Sequence, residues 1–219
     1  EQDPQVRKIA VQHHHAHIAS VMAEYDLDEK VIGLAYDGTG FGTDEQIWGS
    51  ELLICDYADF HRENHFEYIP IPGGDLATKE PWRTGISYLY KTFGKNWNVP
   101  VIPFLKAIDN KKAIQLTEAI DKKINCPLSC SAGRLFDAIS AILGICTESN
   151  YHAEAPLLLE NYLENGIDDY YSVSLGTSGL SFSPMIREII NDFENKTSIC
   201  NIVTKFHNTI AVSALNQIK

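Results

Sequence analysis

The stretch "VIGLAYDGTGFGTDEQIWGSELLICDY", residues 31–57, changes character twice. It opens as a β-branched apolar run, breaks at Asp37 into three glycines (Gly38, Gly40 and Gly42) interleaved with Thr39 and Thr43, and turns apolar again at Ile47. Short apolar runs bounded by glycine clusters read as strand, tight turn, strand. The sequence therefore predicts a strand over 31–37, a turn within 37–45 and a second strand over 47–57. Outward from these, "RKIAVQ" (7–12) reads as a short strand ending at Gln12, and "HFEYIPI" (65–71) as a later one. Together they predict an antiparallel meander in a strand-rich part at about 8–72. One helix interrupts it from His14 to about Asp26, where Ile18, Val21, Met22 and Tyr25 recur at three- and four-residue steps.

After "PGGD" (72–75) the period becomes helical, in a part running from about 80 to 219. Trp82, Ile86, Leu89, Tyr90 and Phe93 share one face, and "AIQLTEAIDKKI" (113–124) makes another helix. In "SAGRLFDAISAILGI" (131–145), Leu135, Ile139, Ile142 and Leu143 form a stripe, with Asp137 off it. "APLLLENYLEN" (155–165) reads as a helix, "YYSVSL" (170–175) as a strand, and "SPMIREIINDFEN" (183–195) as a helix with Ser183 as N-cap before Pro184. The last segment, 198–219, is helical throughout.

With 18 basic and 29 acidic residues the net charge is -11, which argues against a broad nucleic-acid-binding face built on clustered Lys and Arg. No apolar run approaches the ~20 residues of a membrane span. The polar start "EQDPQVRK" lacks a signal-peptide core, so the expected setting is the cytoplasm. Five scattered cysteines, Cys55, Cys126, Cys130, Cys146 and Cys200, suit reduced thiols better than a disulfide framework. "CPLSC" (126–130) has no second pair at zinc-ribbon spacing and reads as two plain thiols.

"HHHAH" (13–17) is the densest chemical feature. Residues four apart stack on one helix face, so His13 and His17 are placed to converge on one ion, whereas His14 and His15 point round the helix. Imidazole suits Fe, Zn, Ni and Cu, and a first-row metal needs at least one more ligand, commonly a carboxylate. Asp37, at the end of its strand, is the candidate. Solvated histidines on an exposed helix end would give the same letters. A tag would not be broken by Ala16 or run into an amphipathic helix. The glycines after Asp37 permit close backbone approach to an anion, and equally a hairpin turn needing positive φ.

Four segments, "VQHHHAHIASVMAEY", "DGTGFGTDEQIWGSELL", "PIPGGDLATKEPWR" and "SAGRLFDAISAILGI", resemble in order and spacing the C-terminal catalytic region of the HypF family, carbamoyltransferases of NiFe-hydrogenase maturation. That region is similar to TsaD, the tRNA threonylcarbamoyl transferase component. The resemblance implies an α/β fold of the actin-like, ribonuclease-H-like ATPase type. One half, a mixed sheet with flanking helices, is followed by additional helices, and residues 1–219 are expected to be the first half of a TsaD-like domain, with the second half truncated. It places metal ligands at His13, His17 and Asp37, with iron or zinc as the divalent ion. Gly38, Thr39 and Gly40 match the segment contacting carbamoyl and phosphate groups, which makes Asp37 and Thr39 the expected catalytic pair. Gly133 and Asp137 match nucleotide positions, with Asp137 expected at ribose hydroxyls. Glu80 and Arg83 match a family signature in which Arg83 reads as a carbamate or phosphate clamp or, by preference, as a structural ion-pair partner. The family's "SGG" and late Asn-Asp-Gly-Gly segments, the latter bearing its last metal ligand, do not occur in these residues.

The activity so implied uses carbamoyl phosphate and ATP in the full-length protein to form carbamoyl-adenylate. The carbamoyl group then passes to the C-terminal cysteine of HypE, for the cyanide ligands of the NiFe site. TsaD-like tRNA modification is the alternative within the same fold, and "PGGD" with "EPWR" argues against it. A metallopeptidase would need a general-base Glu beside the first histidine, where His14 stands. A metal- or partner-binding fragment without turnover is the non-enzymatic alternative.

Overall fold

The computed structural model describes residues 8–219. Helix α1 runs His13–Glu24, and Gln12 caps it by accepting the His15 N–H on its side chain. Lys8–Gln12 lies outside any sheet, so the expected first strand is absent from its described part. Gln12 is extended because it serves as a cap, not because it pairs.

Strands β1 (Val31–Phe41) and β2 (Ile47–Cys55) form an antiparallel hairpin. Its turn is not where the first glycines stand. Pairing continues past Asp37, and the chain reverses only at Gly42–Gln46, where the Gly42 N–H donates to the Gln46 carbonyl. Between the pairs Tyr36↔Ser50 and Gly40↔Trp48, three β1 residues oppose only Gly49. Asp37, Gly38 and Thr39 thus form a bulge within a strand, which re-aims side chains as bulges do.

The sheet is mixed rather than a simple meander. Strand β3 (Phe60–Asn64) pairs antiparallel with the second half of β2, while β5 (Leu128–Ser129) meets Ile47 at its start in parallel. Strand β4 (Ile69–Pro70) pairs with β5, giving the order β1-β2-β5-β4 with β1 at the rim. "HFEYIPI" supplies β4 and one bridge from Phe66 to Leu180, not a strand of its own full length.

Helix α1 covers one face of the sheet, where Ile18 and Met22 pack with Ala35, Leu53 and Cys55. Ile18, Met22 and Leu53 each contribute roughly 1.5–3 kcal/mol on full burial. Gly33 is required there, because a Cβ would stand 2.3 Å from Ile18 Cδ1.

The larger core lies under the helices. After the short α2 (Leu76–Lys79), α3 (Pro81–Phe93) packs with α6 (Ala132–Ile142) through Ile86, Leu89, Leu135 and Ile139, all fully buried. Helix α5 (Asn110–Asp121) is of similar length, and α4 (Pro103–Ala107) and α7 (Glu154–Glu160) are shorter. Tyr170–Val173 of the expected strand stays unpaired, and only β6 (Ser174–Leu175) pairs, with β7 (Leu180–Ser181). Helix α8 (Ser183–Glu194) starts one residue earlier than expected, so Phe182 is its N-cap and Ser183 lies in the first turn. Helix α9 (Ile199–Ile218) is capped by Ser198.

The start of α6 meets the bulge of β1 without an intervening side chain. A Cβ on Gly133 would be 2.8 Å from the Gly38 Cα. Ser131 secures the contact from both sides: its Oγ donates to the Gly38 carbonyl at 2.8 Å and accepts the Arg134 N–H at 3.1 Å. Gly133→Ala is therefore expected to force the helix and bulge apart. Urea unfolding should show a lower midpoint at unchanged slope, a loss of roughly 1–3 kcal/mol as for overpacked sites.

Candidate metal centre

α1 and the β1 bulge bring His13, His17 and Asp37 together. His13 Nε2 lies 2.9 Å from Asp37 Oδ2 and 3.1 Å from His17 Nε2, and His17 Nε2 lies 3.7 Å from the same carboxylate oxygen. Ligand atoms held ~2.0–2.1 Å from a tetrahedral ion are separated by about 3.4 Å. The three distances bracket that value, and the donor set of two imidazoles and one carboxylate suits a divalent first-row ion. The residues present therefore fit such a metal as three of its ligands. Both histidines are about half exposed, so the centre opens to solvent.

Asp37 is prepared to be anionic. Burial opposes its ionisation, but the Gly38 N–H, donating to Oδ1 at 2.6 Å, and the His13 contact outweigh it and hold the carboxyl below its ordinary range. The bulge itself is braced from beneath. Glu51, wholly buried, accepts the N–H groups of Gly49 (2.9 Å) and Ser50 (3.2 Å). The Arg62 Nε donates to its other oxygen at 2.5 Å, with the guanidinium 3.9 Å above the Trp48 ring. Gly49 abuts Asp37, since a Cβ there would be 2.6 Å from the Asp37 carbonyl oxygen. The sequence reading missed Glu51 and Arg62. Their signal was a charge inside an apolar strand, "SELL", and an Arg in "HREN".

The remaining histidines divide by direction, as the helical angle requires. His15 Nε2 lies 2.6 Å from the Asp56 carbonyl, away from the centre. His14 is completely buried under Gly40, and burial lowers its pKa despite the pull of Glu51 and Asp37. Thr39 is exposed beside the triad, and a Cβ on Gly38 would meet nothing within 4 Å, so this stretch of backbone faces open space. A cleft of about 520 Å³ follows α1 and the rim of β1, with His17 and Asp37 at one end.

Gly133 stands beside Gly38 as described, but Asp137 departs from its expected place. Its side chain is 4% exposed and lies inside α6, 2.8 Å from Arg134 Nε without hydrogen-bond alignment. Burial, partly offset by Arg134, pushes its pKa up to about 6. Its nearest charged partner is Arg134 on the same helix. Glu80 and Arg83 form the expected ion pair, with Arg83 Nε donating to Glu80 at 2.5 Å and stacking on Trp82. They line a separate cleft with Lys112 and Glu148, apart from the triad. Among the described residues all five cysteines are free, and Cys130 is buried against Glu51 rather than paired with Cys126. No helix among them is long and apolar enough to cross a membrane.

Comparisons with known proteins agree with this architecture. A family model described as carbamoyltransferase, Kae1-like domain, second subdomain, matches residues 33–219. The carbamoyltransferase HypF homolog of Cupriavidus necator is 41% identical over 160 residues, covering 71% of this chain and 39% of that one. Carbamoyltransferase HypF of Synechocystis is 33% identical over 218 residues, covering 91% of this chain and 28% of the relative. A crystal structure of full-length HypF in a phosphate- and nucleotide-bound form superimposes with a TM-score of 0.89 at 36% identity, over 98% of this chain and 34% of that one. T. kodakarensis HypF gives 0.77 at 32%, over 89% of this chain and 27% of that one.

Fold and matches together define a domain of the carbamoyltransferase class, a mixed sheet with flanking helices. The chain belongs to the HypF carbamoyltransferase family. It spans well under half the length of the relatives it matches.

Asp137 gives a pH signature. Its folded pKa of about 6 lies above the ordinary 3.8, so the folded state binds the extra proton between those values. The stability this group contributes is complete below about pH 4 and is lost as pH rises through about 6. Asp137→Asn should gain on the wild type as pH rises from 4 to 8, by on the order of 2–3 kcal/mol, in thermal unfolding across that range.

Proposed function

We propose that this chain carries the metal-binding half-site of a carbamoyl-transfer centre, working in a longer protein that passes carbamoyl from carbamoyl-adenylate to the C-terminal cysteine of HypE. The observation that carries the reading is the convergence of His13, His17 and Asp37 beside the side-chain-free contact of Gly38 with Gly133. A divalent ion, iron or zinc, would supply Lewis-acid polarisation of the carbamoyl oxygen when bound. His13 and His17, four residues apart on α1, would hold it from one side and Asp37 from the other. The open backbone at Gly38–Gly40 and the N-terminal end of α6 favour negative charge, which suits the phosphate of an adenylate leaving group. Exposed Thr39 stands where it would contact that group.

A cysteine thiolate is a strong nucleophile, so the chain need not supply a strong base for attack at the carbamoyl carbon. The net charge of -11 favours a protein tail over tRNA as acceptor, because phosphate backbones are bound by cationic clusters. ATP and carbamoyl phosphate belong to the reaction of the longer protein.

His13→Ala, His17→Ala and Asp37→Ala should each strip tight metal from the protein by elemental analysis, while His15→Ala should retain it. In the full-length setting the same three substitutions should abolish carbamoyl transfer to HypE, followed as mass gain on its C-terminal peptide. Equal metal content in the His13, His15 and His17 variants would remove the basis of the reading.

A further inference from the structure

The orientation of one buried side chain next to the triad is fixed by its neighbours. Gln12 Oε1 accepts the His15 backbone N–H at 2.8 Å, which identifies the oxygen of that amide. Its Nε2 is therefore the donor that reaches the Phe41 carbonyl at 3.3 Å and His14 Nδ1 at 3.1 Å. An imidazole that accepts at Nδ1 carries its proton on Nε2. That N–H has no partner and is sealed from solvent. An unpaired buried donor costs roughly 1–3 kcal/mol, so its retention calls for a physical reason.

We propose that His14 is a positioning residue for Asp37, its Nε2–H acting as the donor that holds the carboxylate when Asp37 serves as a metal ligand. This rests on the metal reading above. Asp37 Oδ2 lies 3.9 Å from His14 Nε2, beyond hydrogen-bond reach, while the same oxygen is engaged by His13 at 2.9 Å. That engagement uses a proton on His13 Nε2, or its lone pair, and metal ligation by His13 requires the lone pair free. The His13–Asp37 hydrogen bond and the metal are therefore mutually exclusive. Once it is given up, His14 is the sealed donor facing the carboxylate. Gly40 leaves room for the imidazole at this position, since a Cβ there would stand 2.5 Å from His14 Cε1. Outer partners of this kind fix ligand orientation and carry part of the metal affinity.

The test is calorimetric titration of Zn²⁺ into the wild type, His14→Phe and His14→Gln, with thermal unfolding of each in the absence of metal. His14→Phe should bind Zn²⁺ roughly 10–100-fold more weakly, the usual loss for an outer-shell partner. Its metal-free melting temperature should be unchanged or higher, because an unsatisfied buried N–H is gone. His14→Gln, which keeps a donor at the ε position, should recover much of the affinity. Zn²⁺ affinity within twofold of the wild type in His14→Phe would overturn the proposal, as would His14→Gln binding no better than His14→Phe. Should His14→Phe not fold, long-range ¹H–¹⁵N spectra of the wild type decide. A His14 Nε2 proton that persists and moves downfield on adding Zn²⁺ supports the role, and one that disappears or does not move defeats it. A wild type that fails to bind Zn²⁺ would sink the metal reading and this inference together, whereas binding insensitive to His14 sinks only the latter.

Discussion

No methyl group fits between Gly38 and Gly133, and the rest of the centre depends on that exclusion. Two backbones in contact leave the start of α6 and the bulge of β1 a single relative position. Ser131 then fastens them with one hydroxyl used as both donor and acceptor. Asp37 is the first residue of this bulge, so main-chain packing sets where its side chain leaves the strand, and the Gly38 N–H and His13 hold its carboxyl.

A second layer holds the bulge from below. Glu51 is a buried anion whose oxygens are taken up by two backbone N–H groups and by Arg62. A buried carboxylate is costly unless so paired, and truncating one partner of a buried pair is more disruptive than replacing both. The geometry at Asp37 is thus supported through Gly49, which lies between Glu51 and the Asp37 carbonyl. The arrangement is stiff on the sheet side and open on the solvent side, as a ligand site on a rigid scaffold requires.

Legibility in the sequence followed the range of the interactions. His13 and His17 were readable because their relation is local, four residues along one helix, and Asp37 because a carboxylate ended an apolar strand. The hairpin, α1, α3, α6 and α9 declared themselves through periodicity. What stayed hidden depended on distant partners. The glycines after Asp37 looked like a turn, yet Gly40 leaves room for His14, the backbone at Gly38 is met by Gly133, and the reversal waits until Gly42. Two-residue strands such as β4 and β5 have no period to detect. Asp137 lay off the apolar stripe of α6 and seemed free to face a ligand, but α6 is enclosed on nearly all sides, so its polar residue is buried too. "RKIAVQ" has strand-like letters, yet Ile9–Gln12 forms no strand and leads straight into the α1 cap.

The place of β1 at the rim of the sheet bears on the strength of the charges beside it. Along Val31–Asp37 one side of the strand has no ladder partner among the described residues, and the cleft there ends at His17 and Asp37. Whatever fills that rim, water or polypeptide, sets the local dielectric at the triad. A pair of charges about 4 Å apart interacts several-fold more strongly at an effective dielectric of ~20 than in bulk water. The polarising power of an ion held by His13, His17 and Asp37 would therefore depend on the sheet edge as much as on those three residues.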